Sequence, residues 1–411
     1  MKKIAVIGAG NRGKDVYANL IKESKNLKVT AVAEPKSNRR EQLAKEHNIP
    51  PKYQFNSWED LLFEDKLADA VIISTGDKLH FKPLIKSLKK GYKVLCEKPI
   101  TDNLDELKEL DYKYKKFSDN VMVAHVLRYT PFFRKIKELL EENVIGYIRF
   151  INLIENIGFF HYGHSYVRGN WRNQDVGAPI ILAKSCHDLD ILYWLLDSQY
   201  KRVYSEASEK YFNKTYDPPD AGLRCLNCAI EAKCPYSAKK LYFKVKEGWP
   251  VSTITDDLSH EGRIKALQET KYGKCVYKSD NDQLDVQSLL IKFKNNISAH
   301  FTLTAFSKEM TRKINIFGTH GEIYGDLDRG IIKIRPFLDD DKQIDISFKG
   351  GHAGGDEKLI ESFEKFLIND KQKNESSLIS ALESHYTALA AEKSRKERKA
   401  INIEEFRRQI N

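Results

Sequence analysis

The sequence predicts an α/β protein in two parts: a doubly wound parallel sheet at the N-terminus, then an α+β domain with a large, mostly antiparallel sheet. Three observations carry this expectation. Apolar runs alternate with amphipathic segments over residues 3–124, a glycine-rich turn closes the first run, and apolar runs late in the chain are joined by short polar turns. The 411 residues are too many for one ordinary domain. The change of pattern divides the chain into residues 1–124 and 125–411.

Each element has its reason. KIAVIGAG, KVTAVAEP, ADAVIIST, YKVLCEKP and NVMVAH are near-continuous apolar runs, as strands covered by helices on both faces require. Helical segments separate them; in NLDELKELDYKYKKF, Leu104, Leu107, Leu110 and Tyr114 form one stripe. Such alternation gives a parallel sheet. Beyond residue 125, PFFRKIKELLEE reads as a helix with Phe132, Ile136, Leu139 and Leu140 on one face. The strand YIRFINLIEN and the helix DLDILYWLL follow, then the strands LLIKFKN, ISAHFTLTAF and KINIFGTHGEIYGDL. Two helices end the chain, one marked by Leu359, Phe363, Phe366 and Leu367, the other by Leu378, Leu382, Tyr386 and Leu389.

The first strand runs into Gly8-Ala9-Gly10-Asn11-Arg12-Gly13. Gly8 permits a tight turn, Gly10 lets the backbone approach a pyrophosphate, and Gly13 lets helix and sheet pack closely. The pyrophosphate would sit on the free amides of the following helix. The second strand ends at Glu34, where a carboxylate can take both ribose hydroxyls and repel a 2′-phosphate, which favours NAD over NADP. Arg39 and Arg40 follow closely and weaken that preference. Ligands of such sheets lie beyond the carboxyl ends of the strands. Two further strand ends are polar there: Ser74, Thr75 and, six residues on, His80; and Glu97-Lys98-Pro99.

GAGNRG, AEP, STGDKLHFKP and GYKVLCEKP together resemble the glucose-fructose oxidoreductase / inositol dehydrogenase (Gfo/Idh/MocA) family, whose marker is the EKP turn. The resemblance continues through ILAKSCHDLD and FGTHGEI, over most of the chain. It implies a Rossmann domain holding NAD, a second domain whose sheet carries substrate residues, and a homodimer or homotetramer. It also implies that Lys98 contacts the reacting hydroxyl and the nicotinamide ribose.

In ILAKSCHDLD, Leu189, Leu192, Tyr193 and Leu196 have helical spacing, and Ser185 with Asp188 reads as a capping box. His187 then falls in the first helical turn, where the dipole disfavours an imidazolium. A neutral imidazole can accept a hydroxyl proton. A histidine that only starts the helix is the competing reading; the resemblance makes His187 the catalytic base. Where many family members have Asp four residues before that histidine, this chain has Ala183, followed by Lys184. Lys184 is therefore a candidate partner, and Asp190 is expected to orient the histidine or cap the helix.

Substrate candidates are His161, His164, Arg168 and Trp171 in FFHYGHSYVRGNW, Arg128 at a strand-to-helix corner, and His352 in the loop GGHAGGDE. Aromatic faces with His and Arg donors suit a polyhydroxylated ring. A metal pair at His161 and His164 is a weaker alternative. Cys225, Cys228 and Cys234 lie in a polar insertion at about residues 205–255, and with Cys275 they are expected to hold a structural zinc.

The net charge of +10 is spread among acidic residues, so nucleic-acid binding is not expected. No apolar run approaches a membrane span. The expected setting is a reducing cytoplasm. The resulting functional reading is NAD-dependent oxidation of a hydroxyl on a sugar, sugar derivative or cyclitol. The competing readings are a glycosidase or lyase that oxidises transiently with no net redox, and a non-catalytic NAD-binding regulator.

Overall fold

The computed structural model describes residues 1–369 and 374–408. The first sheet has six parallel strands: β1 (Lys2–Ile7), β2 (Leu27–Ala33), β3 (Gln54–Phe55), β4 (Ala70–Ile73), β5 (Lys93–Cys96) and β6 (Val121–Val123). Their order is β3-β2-β1-β4-β5-β6, reversing between β1 and β4 as in a doubly wound sheet. The near-continuous apolar runs are explained by two cores. Ile4 and Val6 enter one hydrophobic cluster, Ala5 and Ile7 the other, so both faces of β1 are covered. The helix Gly355–Ile368 returns to this sheet: Leu359, Ile360, Phe363, Phe366 and Leu367 share a core with Ile4 and Val6.

The second sheet has nine strands: β7 (Ile148–Asn156), β8 (Tyr200–Ala207), β9 (Val286–Phe293), β10 (Ser298–Thr304), β11 (Thr311–Gly318), β12 (Gly321–Asp326), β13 (Ile331–Pro336), β14 (Lys342–Asp345) and β15 (Ile401–Asn402). The order is β14-β13-β12-β11-β7-β10-β9-β8-β15, with β7 and β10 paired in parallel and the other pairs antiparallel. One face is buried and alternation is regular, as in β10, where Ala299, Phe301 and Leu303 point inward.

Two local expectations need correction. Residues 104–120 do not form one helix: a short α-helix, Leu104–Glu109, passes into a π turn and then a 3-10 segment. The insertion is also longer than residues 205–255, because irregular and short helical segments fill the whole interval between β8 and β9. It carries its own small core, with Tyr242, Val251, Leu267 and Tyr272. Among the described residues, no helix is long and apolar enough to cross a membrane.

Candidate active site

The glycine turn after β1 is tightly packed. Gly8 has φ +93°, and a Cβ there would lie 2.7 Å from the Ser74 carbonyl oxygen; one on Gly13 would lie 2.0 Å from the Gly8 oxygen. At Gly10, by contrast, the nearest atom beyond its chain neighbours would be Arg39 Nη1 at 3.8 Å from a Cβ, so there is room for a ligand to approach. Ser74 Oγ donates to the Gly8 carbonyl at 2.8 Å, tying the β4 end to the turn, and Thr75 Oγ1 donates to the Leu79 carbonyl. Glu34 is buried at the end of β2; its carboxylate accepts the Ala9 amide at 2.8 Å and the Lys36 amide at 3.1 Å. This set fits a dinucleotide: an open approach at Gly10 and a fixed acid at the β2 end.

Other residues expected on the cofactor bind one another. Arg12 Nε donates to Glu97 at 2.7 Å and Arg12 Nη2 donates to Asp356 at 2.7 Å, while Tyr17 donates to Glu97. Asn11 donates to Asp15 at the surface. His80 is buried between the carbonyls of Pro99 and Thr75, at 2.6 and 3.1 Å, so it braces two strand-end loops. Arg12 joins the glycine turn to the helix carrying Asp356. Burial alone would raise Asp356, but His352 and Arg12 hold its carboxyl well below the usual range.

Lys98 follows β5 in a cis Lys98–Pro99 turn, and its Nζ donates to the Ala183 carbonyl at 2.8 Å. That contact brings the first sheet to the segment preceding His187. His187 begins the helix Cys186–Leu196, is only 5% exposed, and its Nδ1 has no hydrogen-bond partner. Burial, and then the nearby positive charge of Lys98, push its pKa well below the ordinary value. The expectation of a neutral imidazole holds, but burial is its chief cause. The capping box does not form: Ser185 Oγ is buried without a partner, and Asp188 turns to Arg312.

Behind His187 stands His125, with ring centroids 6.0 Å apart. Asp190 lies 3.5 Å from His125 Nε2 and receives two hydrogen bonds from Arg128, each 2.6 Å. Arg128 is 1% exposed, so it is a buried ion-pair partner and not a substrate ligand. Asp190 is thus held by Arg128 and does not bond to His187, and neither ring nitrogen of His125 has a hydrogen-bond partner.

Near Lys98 lies a charged cluster whose Glu155 and Arg312 were not anticipated. Lys184 Nζ lies 3.2 Å from Glu155, Arg312 lies 2.7 Å from Glu155, and Arg312 also lies 2.7 Å from Asp188. Burial and the neighbouring Glu155, opposed by Arg312, raise the Asp188 carboxyl to about 7. A signal was present: Ile151, Leu153 and Glu155 share the inward face of β7, while Arg312, Ile314 and Ile316 share that of β11. Arg312 and Glu155 are register partners. Charges at core-facing strand positions, on one sheet, mark a built polar cluster.

Two aromatic-loop candidates remain at the cleft. Trp171 is 38% exposed and its Nε1 donates to Asp77 at 3.0 Å, linking the two sheets' loops. Burial raises Asp77, against the charge of Lys98. His161 lies 3.1 Å from Met310 Sδ; burial and the charge of Lys184 hold its pKa well below the ordinary value. His352 has φ 47°, pairs with Asp356 at 2.9 Å, and lies 6.3 Å from His187 between ring centroids.

The structure moves the other candidates away from substrate. His164 is 3% exposed and bonds Tyr242 at 2.7 Å and Thr253 at 3.1 Å, anchoring the insertion, so the His161–His164 metal pair is not formed. Arg168 is 1% exposed and donates to the carbonyls of Lys274 and Tyr236 and to Cys225 Sγ. Cys225, Cys228, Cys234 and Cys275 do line one small cavity beside it. Among the described residues no three His, Cys, Asp or Glu side chains are grouped to hold a metal ion, so the expected structural zinc is not supported.

Two family profiles match the chain: the oxidoreductase family, NAD-binding Rossmann fold, over residues 2–125, and the GFO/IDH/MocA C-terminal domain over residues 133–231. The chain is 24% identical over 377 residues to the putative oxidoreductase YteT of Bacillus subtilis, covering 87% of this chain and 86% of that protein. It is 29% identical over 211 residues to the scyllo-inositol 2-dehydrogenase (NAD(+)) of the same organism, covering 49% of this chain and 56% of that one. Among solved structures, an Agrobacterium radiobacter oxidoreductase in complex with NAD+, L-tartaric acid and magnesium shares the fold, with TM-score 0.69, 16% identity and coverage of 98% and 99%.

Proposed function

Because the chain belongs to the GFO/IDH/MocA family of NAD-binding oxidoreductases, we propose that it oxidises a hydroxyl-bearing carbon of a sugar, sugar derivative or cyclitol, or runs the reverse reduction. NAD, when bound, supplies the hydride acceptor. Gly8, Gly10 and Gly13 shape its phosphate site, and Glu34 takes the ribose hydroxyls, which disfavours NADP. His187 accepts the hydroxyl proton as the C–H bond breaks, and Lys98 stabilises the negative charge developing on that oxygen. The observation that carries this reading is the junction of Lys98 with Ala183, which delivers an ammonium group to the segment of a neutral, buried His187. The substrate reading draws support from the inositol dehydrogenase relatives. We also expect a homodimer or homotetramer.

A second reading is supported by Asp77. A glycosidase or lyase using transient oxidation needs another acid or base, and Asp77 offers a carboxyl raised by burial near Lys98. The test is direct: sugars and cyclitols are screened for NADH formation, and aryl glycosides for aglycone release. NADH formation supports the dehydrogenase; release without net NADH supports the second reading. Neither activity across a broad panel, with Lys98→Ala binding ligands as the wild type does, contradicts both.

A further inference from the structure

Three cations converge from separate elements: Lys98 after β5, Lys184 before the helix Cys186–Leu196, and Arg312 near the start of β11. Their partners are arranged asymmetrically. The Glu155 and Asp188 side chains are 1% and 0% exposed, whereas those of Lys184 and Arg312 keep 16% and 10%. The carboxylates are therefore the more deeply buried members of these pairs, and the cationic side chains keep the greater access to solvent. The partner of Lys98 is a backbone carbonyl, which carries no formal charge.

Burial raises the Asp188 carboxyl to about 7, against the pull of Arg312. Burial lowers Lys184 from its ordinary value while Glu155 opposes that shift; an arriving anion would oppose it further. Burial disfavours the charged forms of His161 and His187. A neutral polyol would leave these cationic heads with no partner of opposite charge on the ligand side. Arg312 Nε and Nη2 are held by Asp188 and Glu155, which leaves Nη1 and the Lys184 ammonium to meet a ligand carboxylate.

We propose that Lys184 and Arg312 form a carboxylate subsite, so that the substrate is an acidic sugar whose reacting hydroxyl lies at Lys98 and His187. This rests on the oxidoreductase reading and names its substrate class. Glu155 and Asp188 hold the two cations in place and are positioning residues.

The test uses the full chain with NAD and matched ligands: glucose, glucuronate, gluconate and glucose 6-phosphate, with the corresponding galactose series. NADH formation gives kcat/KM, and calorimetric titration of the NAD complex gives Kd. The expected result is at least a tenfold preference for a carboxylate member over its neutral counterpart, with KM rising as salt is added. Lys184→Met should reduce that preference at least tenfold and Lys184→Arg should restore most of it. Preference for the neutral or phosphorylated member overturns the subsite, as does an acid preference that neither salt nor Lys184→Met alters. NADH from neutral sugars alone sinks the subsite and leaves the oxidoreductase reading standing. If no member yields NADH, the oxidoreductase reading fails and the Kd ratios decide the subsite.

Discussion

Replacing Arg128 with Met should destabilise the protein more than any direct effect on substrate binding would suggest. Two of its guanidinium nitrogens donate to the two Asp190 oxygens at 2.6 Å, and a third donates to the Glu375 carbonyl. Both members of the pair are sealed from water, at 1% and 0% exposure. Removing the arginine leaves a buried carboxylate whose nearest ionisable neighbour is His125 at 3.5 Å. Leaving one buried charge unpaired costs about 3–5 kcal/mol, whereas replacing both members by apolar groups is often near neutral. Arg128→Met should therefore lower the urea midpoint markedly, and Arg128→Met with Asp190→Leu should recover much of the loss. The double-mutant cycle is read from equilibrium unfolding. A single variant costing less than about 1 kcal/mol, with a raised substrate KM, would refute the ion-pair role and return Arg128 to the substrate.

Further outcomes follow from the same geometry. Gly13→Ala places a methyl group against the Gly8 oxygen, so NAD affinity should fall at least tenfold by fluorescence titration; unchanged affinity would mean the turn is not the phosphate site. Glu34→Ser should shift the NADP-to-NAD ratio of kcat/KM at least tenfold toward NADP, and an unmoved ratio would remove Glu34 from the ribose site. The buried histidines predict acid sensitivity. His385 lies at about 4 and His164 at about 3, both through burial, and His125 and His187 are also lowered well below the ordinary histidine value. Because the unfolded chain binds these protons first, stability should fall as pH drops below about 6.5, by up to about 1.4 kcal/mol per pH unit for each histidine, levelling out near its folded pKa. Melting temperatures that stay flat from pH 7 to 5 would contradict that burial.

The first sheet was legible because each strand is an uninterrupted apolar run closed by a turn, and the glycine turn has only one way to pack. The strand-end lysine and the helix-start histidine were also legible as local patterns. Spatial roles were not. Arg128, Arg168 and His164 have the chemistry of ligands, and nothing local in the sequence shows that Asp190, the Cys225 region or Tyr242 would enclose them. The Ser185/Asp188 spacing suggested a cap, but Arg312, 124 residues later in the chain, takes the aspartate. Glu155 and Arg312 were recoverable from strand parity, since each interrupts an inward apolar row; their pairing needed the β7–β11 register.

The most direct test of the central claim is the pH profile of NADH formation by wild-type protein and His187→Asn at saturating NAD. The wild type should be active near neutral pH, with an acid limb below the ordinary histidine range. His187→Asn should lose at least a hundredfold in kcat while binding NAD unchanged. Retention of wild-type kcat and of the same acid limb in His187→Asn would contradict His187 as the base.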